Sequence, residues 1–225
     1  MALIAVLTGD LIGSTKASNE VINQSFATLS ETGKSISAWQ GAGADCRFTR
    51  YRGDGWQVYL EWHWLALRAA LVFFSNLRAG GFSASTRISI GIGHANSVGT
   101  DDLSDANGDA FEAAGRGLDQ MAKYRIFTIV GTTITSLDAV IVELIEDRAR
   151  RWTIHQAEAM ALWLHPDNPT LAEIGKTLGI SAQAVNYRLQ GAGGVAIRGA
   201  LRKWEEEKEI GSPDNPPSGP QKAER

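Results

Sequence analysis

The stretch that most restricts how this chain can fold is TLAEIGKTLGISAQAVNYRL, running from Thr170 to Leu189. Leu171, Ile174 and Leu178 recur at the spacing of one helix face. Gly175 is small where two helices must cross closely, and Gly179 can take the positive φ that a tight interhelical turn demands. Ser181 is a good helix N-cap, and Val185 and Leu189 then face Ile174 and Leu178. The pattern predicts a helix-turn-helix, entered cleanly through Asn168-Pro169-Thr170, with a third helix before it over 156–165 and a last one over 195–203. Ser181, Gln183, Asn186, Tyr187 and Arg188 are left to meet a DNA major groove, where amide, phenol and guanidinium groups suit base edges and phosphates. Arg198, Arg202 and Lys203 would follow as phosphate contacts. The same residues also permit a helical hairpin that touches only protein.

Charge says where such a contact must lie. The whole chain carries a net −3, which exerts no general pull on nucleic acid or anionic membrane. From Arg148 to Trp204, however, there are eight basic and three acidic residues, a local net of +5. The cluster Arg148-Ala149-Arg150-Arg151 marks a junction, giving domains over 1–148 and 149–208. The remainder, 209–225, holds four of the six prolines and reads as a disordered tail. Cys46 is the only cysteine, so no intrachain disulfide can form, which fits a reducing, cytoplasmic setting. The start, MALIAVLTGD, lacks a basic lead and reaches Asp10 too soon for a signal peptide. No window approaches eighteen uninterrupted apolar residues, so no membrane span is expected.

Upstream of the junction the patterning alternates between periods. Ala2 to Thr8 is a short apolar run that reads as a buried strand, and 19–39 has helical spacing. Cys46–Arg52 and Trp56–Glu61 flank Gly53-Asp54-Gly55, a strong hairpin signal. Helix over 65–77, strand over 86–94, helix over 109–122, strand over 125–130 and helix over 137–150 complete the order. This is an α+β fold with a split βαβ sheet, and helices are expected on one face of a largely antiparallel sheet.

In such a sheet the first strand is central and a hairpin strand lies beside it. Asp10, at the end of the first strand, and Asp54, at the hairpin tip, would then converge. Two close carboxylates beside a loop of small residues, Gly13-Ser14-Thr15, suit a Mg²⁺ or Mn²⁺ ion carrying a phosphate group. Read singly, Asp-Gly at a hairpin tip is turn chemistry, and Asp10 can be a strand-end residue.

At these residues the chain resembles the class III nucleotidyl cyclases, whose two metal-aspartate motifs look like GDLIGST and RYRGDGWQVYLE here. Asp105, Gly108 and Arg116 match the family's downstream motif, while Glu112 stands where the family has Asn. Arg50 stands where purine cyclases have a base-reading Lys. The resemblance covers about residues 3 to 130. A domain of this type followed by a helix-turn-helix also resembles the SatD family.

The resemblance implies a cyclase-type sheet and a nucleoside triphosphate as ligand. Asp10 and Asp54 would hold two metal ions, Mg²⁺ or Mn²⁺, and Gly13, Ser14 and Thr15 would approach the phosphates. Arg50 and Asp105 would read the base. Arg116 would neutralise charge on the α-phosphate during formation of a 3′,5′-cyclic nucleotide, with Glu112 in the ribose-orienting place. It also implies a homodimer. Glu112 adds negative charge beside an anionic substrate, which points equally to a non-catalytic, DNA-binding regulator whose first domain senses a ligand or dimerises.

Overall fold

A computed structural model describes residues 2–41, 43–51, 53–81 and 85–210. The expected tail lies almost wholly outside these residues. The described residues form a mixed α/β structure with one five-stranded sheet and eight α-helices. In chain order these are β1 (Ile4–Ile12), α1 (Asn19–Trp39), β2 (Thr49–Arg50), β3 (Gly55–Leu60), α2 (Ala66–Ala79), β4 (Ser85–Gly93), α3 (Asp109–Gln120), β5 (Phe127–Gly131), α4 (Ser136–Ala149), α5 (Ile154–Trp163), α6 (Leu171–Leu178), α7 (Ala182–Ala192) and α8 (Gly194–Ile210).

The sheet order is β2-β3-β1-β4-β5. β1 pairs antiparallel with β3 and β4, β2 antiparallel with β3, and β4 parallel with β5. It follows that β1–α1–β2 and β3–α2–β4 are two parallel crossovers, each stepping over one strand, which is the split βαβ connectivity. β1 is central, as its apolar sequence requires. It runs four residues further than the sequence suggests, because Gly9 and Asp10 are paired on both edges and Leu11 and Ile12 with β4. Gly9 is needed within the strand: a Cβ there would lie 2.5 Å from the Trp56 ring and 2.6 Å from the Arg87 carbonyl.

Alternation along the strands separates two cores. Ala5, Leu7, Trp56, Val58, Leu60, Ile88, Ile90 and Ile92 face α1 and α2. Ile4, Val6 and Tyr59 point the other way, to Ala110, Phe111 and Ala114 of α3. The expectation of helices on one face is therefore corrected: α3 covers the second face. The physical cause is the glycine parity of β4. A Cβ on Gly91 would sit 2.2 Å from the Ala110 carbonyl oxygen and 2.5 Å from the Ala114 nitrogen, so the α3 backbone rests directly on the strand.

Helix α2 is buried on both sides, by the sheet and by α5, and a single hydrophobic core runs on from it through Met160, Ile174, Val185, Leu189, Ile197, Leu201 and Trp204. Two buried polar clamps fix α8 to the sheet half. Arg68 of α2 makes a bidentate pair with Glu205, both bonds 2.6 Å, and donates to the Leu164 carbonyl at 2.9 Å. Asp138 of α4 accepts from Trp204 Nε1 at 2.7 Å and from Lys208 Nζ at 2.9 Å. His63 is buried beside Lys208, next to Trp64, and its Nδ1 has no hydrogen-bond partner. Among the described residues no helix is long and apolar enough to cross a membrane.

Two predictions follow from this packing. Gly91→Ala forces the α3 backbone off β4 and should cost about 1–3 kcal/mol, the usual range for overpacking, measured as a shift in urea midpoint. Burial lowers the His63 pKa from its ordinary 6.5, opposed in part by backbone hydrogen bonding, with the Lys208 charge a small further lowering. The unfolded chain then binds the proton more readily, so stability should be flat above pH 6.5 and fall below it, by at most about 1.4 kcal/mol per pH unit. His63→Gln should remove the His63 share of that slope between pH 7 and 5, leaving any share of Glu205, whose carboxyl burial pushes upward; an unchanged slope would assign it to another group.

Candidate functional site

The end of β1 and the hairpin tip are joined directly. The Leu11 amide donates to the Asp54 carbonyl at 3.1 Å, and Asp10 lies opposite Gly55 in the β1–β3 register. Ser14 Oγ donates to Asp54 Oδ2 at 2.5 Å. Gly13 takes a left-handed conformation, φ 83°, which starts a short 3-10 turn over Ser14–Lys16. Thus the strand end, the small-residue loop and the hairpin tip form one unit, because β1 and β3 are neighbours and their connections meet at the same edge.

Beside this unit lies a cleft of about 530 Å³, lined by Ser14, Thr15, Asn19, Ile22, Asn23, Arg50, Gly53 and Asp54. Arg50 spans its wall, with its guanidinium 3.9 Å from the Phe26 ring centroid and donating to the Gly53 carbonyl at 3.2 Å. Of the residues singled out in the sequence, Ser14, Thr15, Arg50 and Asp54 are therefore brought together. Asn19 and Asn23 were not expected. They are one turn apart at the start of α1, directly after the small-residue loop, and that spacing is the signal that marks them.

Asp10 is adjacent but already occupied. Arg87 lies opposite it in the β1–β4 register and holds both carboxylate oxygens, with Nε at 3.0 Å from Oδ1 and Nη2 on Oδ2. Hydrogen bonding to Asp10 raises the Arg87 pKa, opposed by burial, and the charges of Asp10 and Asp54 add to the rise. Arg87 thus feels both carboxylates. Its signal in the sequence is parity: counted back from Gly91, it shares the β4 face that meets Asp10.

The downstream residues are not brought into this cleft. Glu112 and Arg116 are exposed on α3 and pair with each other at 3.1 Å. Asp105 sits in the loop before α3, accepting from the Thr100 amide at 3.1 Å and hydroxyl at 3.2 Å. Cys46 is buried, and burial pushes its thiol up to about 11, which keeps it protonated at neutral pH.

In the C-terminal half, α6 and α7 meet in the geometry that their sequence demands. Thr170 caps α6 in a reciprocal box with Glu173, Gly179 ends it at φ 66°, and Ser181 caps α7 through the Ala184 amide at 3.1 Å. A Cβ on Gly175 would lie 2.6 Å from the Ile180 carbonyl oxygen, so the small residue makes room for the turn backbone rather than for a crossing helix. Gln183 and Tyr187 are exposed one turn apart, 3.3 Å from each other, and Asn186 is half-buried. Two expectations are corrected here. Arg188 does not point outward: its side chain is 22% exposed and pairs at 2.6 Å with Glu158 of α5. Arg198 is not a surface contact, since its guanidinium stacks 3.1 Å from the Trp163 ring centroid. Arg202 and Lys203 are exposed on α8.

The chain matches no protein-family model and, at a significant level, no curated protein sequence.

Proposed function

We propose that this chain binds a nucleoside triphosphate in the cleft between α1 and the hairpin tip, and contacts DNA through α7. The observation that carries the first half is the convergence of Ser14, Thr15, Arg50 and Asp54 on one cleft, with Asn19 and Asn23 also in its lining. The hydroxyls and the guanidinium suit phosphate oxygens, and the two amides suit the donors and acceptors of a base or ribose.

The cleft lining holds one arginine and one aspartate, which leaves a triphosphate's charge largely uncompensated. A divalent ion fits that deficit. Asp54, Ser14 and Asp10 offer hard oxygen donors, the kind Mg²⁺ and Mn²⁺ select. Among the described residues there is no group of three or more His, Cys, Asp or Glu side chains placed to hold a metal. An ion here would be completed by phosphate oxygens and water, the usual habit of Mg²⁺. Bound so, it would neutralise phosphate charge and acidify a ribose hydroxyl. Asp54 is the first ligand in this reading. Asp10 becomes one only by releasing Arg87, so the donor set favours one ion over two.

The pairing of Arg87 with Asp10 and of Glu112 with Arg116 favours a sensor that holds the nucleotide over an enzyme that converts it to a 3′,5′-cyclic nucleotide. Titration calorimetry with each triphosphate, with and without Mn²⁺, tests the site. Wild type should bind in a Mn²⁺-dependent manner, Asp54→Asn should lose at least tenfold in affinity, and Arg87→Gln should tighten Mn²⁺ binding by freeing Asp10. Absence of binding by any triphosphate ends the reading. Chromatography of the same mixtures separates turnover from sensing.

The DNA half rests on α7 being capped, backed by a buried face and open at Gln183 and Tyr187, with Asn186 half-buried beside them. Gln183→Ala should relax sequence preference by about 1–3 kcal/mol if the amide makes a bidentate base contact. Arg202→Ala should weaken all sequences alike and reduce the salt slope by about one. Genomic-fragment pulldown followed by salt titration measures both. If folded protein retains no duplex at low salt, α7 serves protein contacts instead.

A further inference from the structure

Helix α7 carries no acidic residue. Its exposed side chains Gln183, Tyr187 and Gln190 recur at the spacing of one helix face, so they form a single outward stripe. Val185, Leu189 and Ala192 are buried on the other side. The stripe is neutral, because Arg188 is turned away from it and held by Glu158 at 2.6 Å. Swinging Arg188 out would strip Glu158 of its guanidinium. What the stripe offers is therefore two amides and a phenol.

Gln183 is held within this stripe. Its Nε2 donates to the Tyr187 hydroxyl at 3.3 Å, one turn further along α7. That bond uses one of the two amide hydrogens. The second N–H and Oε1 have no protein partner among the described residues, so one donor and one acceptor are left for a ligand.

We propose that Gln183 reads an adenine in the major groove, and that Tyr187 is the positioning residue that holds its amide for the contact. The inference rests on the reading of α7 as the DNA-contacting helix and adds the base which that helix selects. Adenine presents an acceptor and a donor side by side in the major groove, N7 and the N6 amino group, which match the amide's donor and acceptor. Guanine presents two acceptors, N7 and O6, which call for an arginine or a lysine, and the stripe has neither. A pyrimidine offers the amide a single hydrogen bond. An exposed glutamine loses rotamer freedom on binding, and the Tyr187 bond removes part of that freedom before DNA arrives.

Selection of randomised duplexes by the full chain, followed by anisotropy titration of the enriched site, tests the proposal. The enriched sequences should share an adenine at one position. Replacing it by 7-deazaadenine, which lacks the N7 acceptor, or by purine, which lacks the N6 amino group, should weaken wild type about tenfold and leave Gln183→Ala unchanged. Tyr187→Phe keeps the ring and removes the hydroxyl. It should lower the preference for adenine over guanine at that position by about threefold or more, and have no effect in a Gln183→Ala background. Its affinity for random duplex and its salt slope should stay those of wild type, since both belong to phosphate contacts. A guanine at the position, or an analogue effect that persists in Gln183→Ala, overturns the adenine contact. An equal effect of Tyr187→Phe with and without Gln183 overturns the positioning role. An enriched site without a shared adenine overturns the proposal and leaves the DNA reading standing. If the folded chain enriches no duplex, both fall.

Discussion

The interaction on which the rest of this structure depends is the burial of helix α2 on two sides. Eleven of its fourteen residues are buried, from Ala66 to Leu77, and they include a charge, Arg68. One side seals the sheet; the other is the floor on which α5 and the helices after it are laid. A helix that is apolar all round needs cover on every side. The buried guanidinium makes the cover specific, because only a matching carboxylate and carbonyl can satisfy it, and Glu205 and Leu164 do. The cleft beside α1 and the exposed face of α7 therefore belong to a continuously packed body. A change at one has a solid path of side chains to the other, although a path is not by itself a coupling.

Much of this order is legible in the residues. Helix α1 begins at Asn19 and ends at Trp39 as its spacing requires, and the turn at Gly179–Ser181 follows from chemistry that is wholly local. The hairpin is likewise written in Gly53-Asp54-Gly55, and it delivers Asp54 to the end of β1. What failed was what depends on partners distant in sequence. Gly9-Asp10 looks like a strand end, yet β3 pairs with β1 through Asp10 and β4 carries it on to Ile12. The small residues of β4 read as alternation, but their meaning, a helix pressed on that side, appears only when α3 is in place.

The same holds for the charged side chains. Periodicity puts Arg188 and Arg198 on faces of helices, but it does not say what those faces meet. Glu158 lies thirty residues before Arg188, and Trp163 belongs to α5, three elements before the helix of Arg198. Arg87 is the reverse case. It looks unremarkable along the chain and becomes central because strand register sets it against Asp10. A site built from neighbouring strand ends is thus half visible: the residues at the turns announce themselves, and those supplied by register do not.

The clamp on α2 also governs the order in which this protein can mature. The strands β1 to β4 and α2 leave the ribosome well before the helices that cover α2's outer side. Glu205, the partner of Arg68, arrives 137 residues after it. Until α8 emerges, Arg68 stands near the start of α2 without its carboxylate partner. Such an intermediate is prone to self-association and is a natural client for chaperones. Helix α8 is thus the element that closes the clamp on α2.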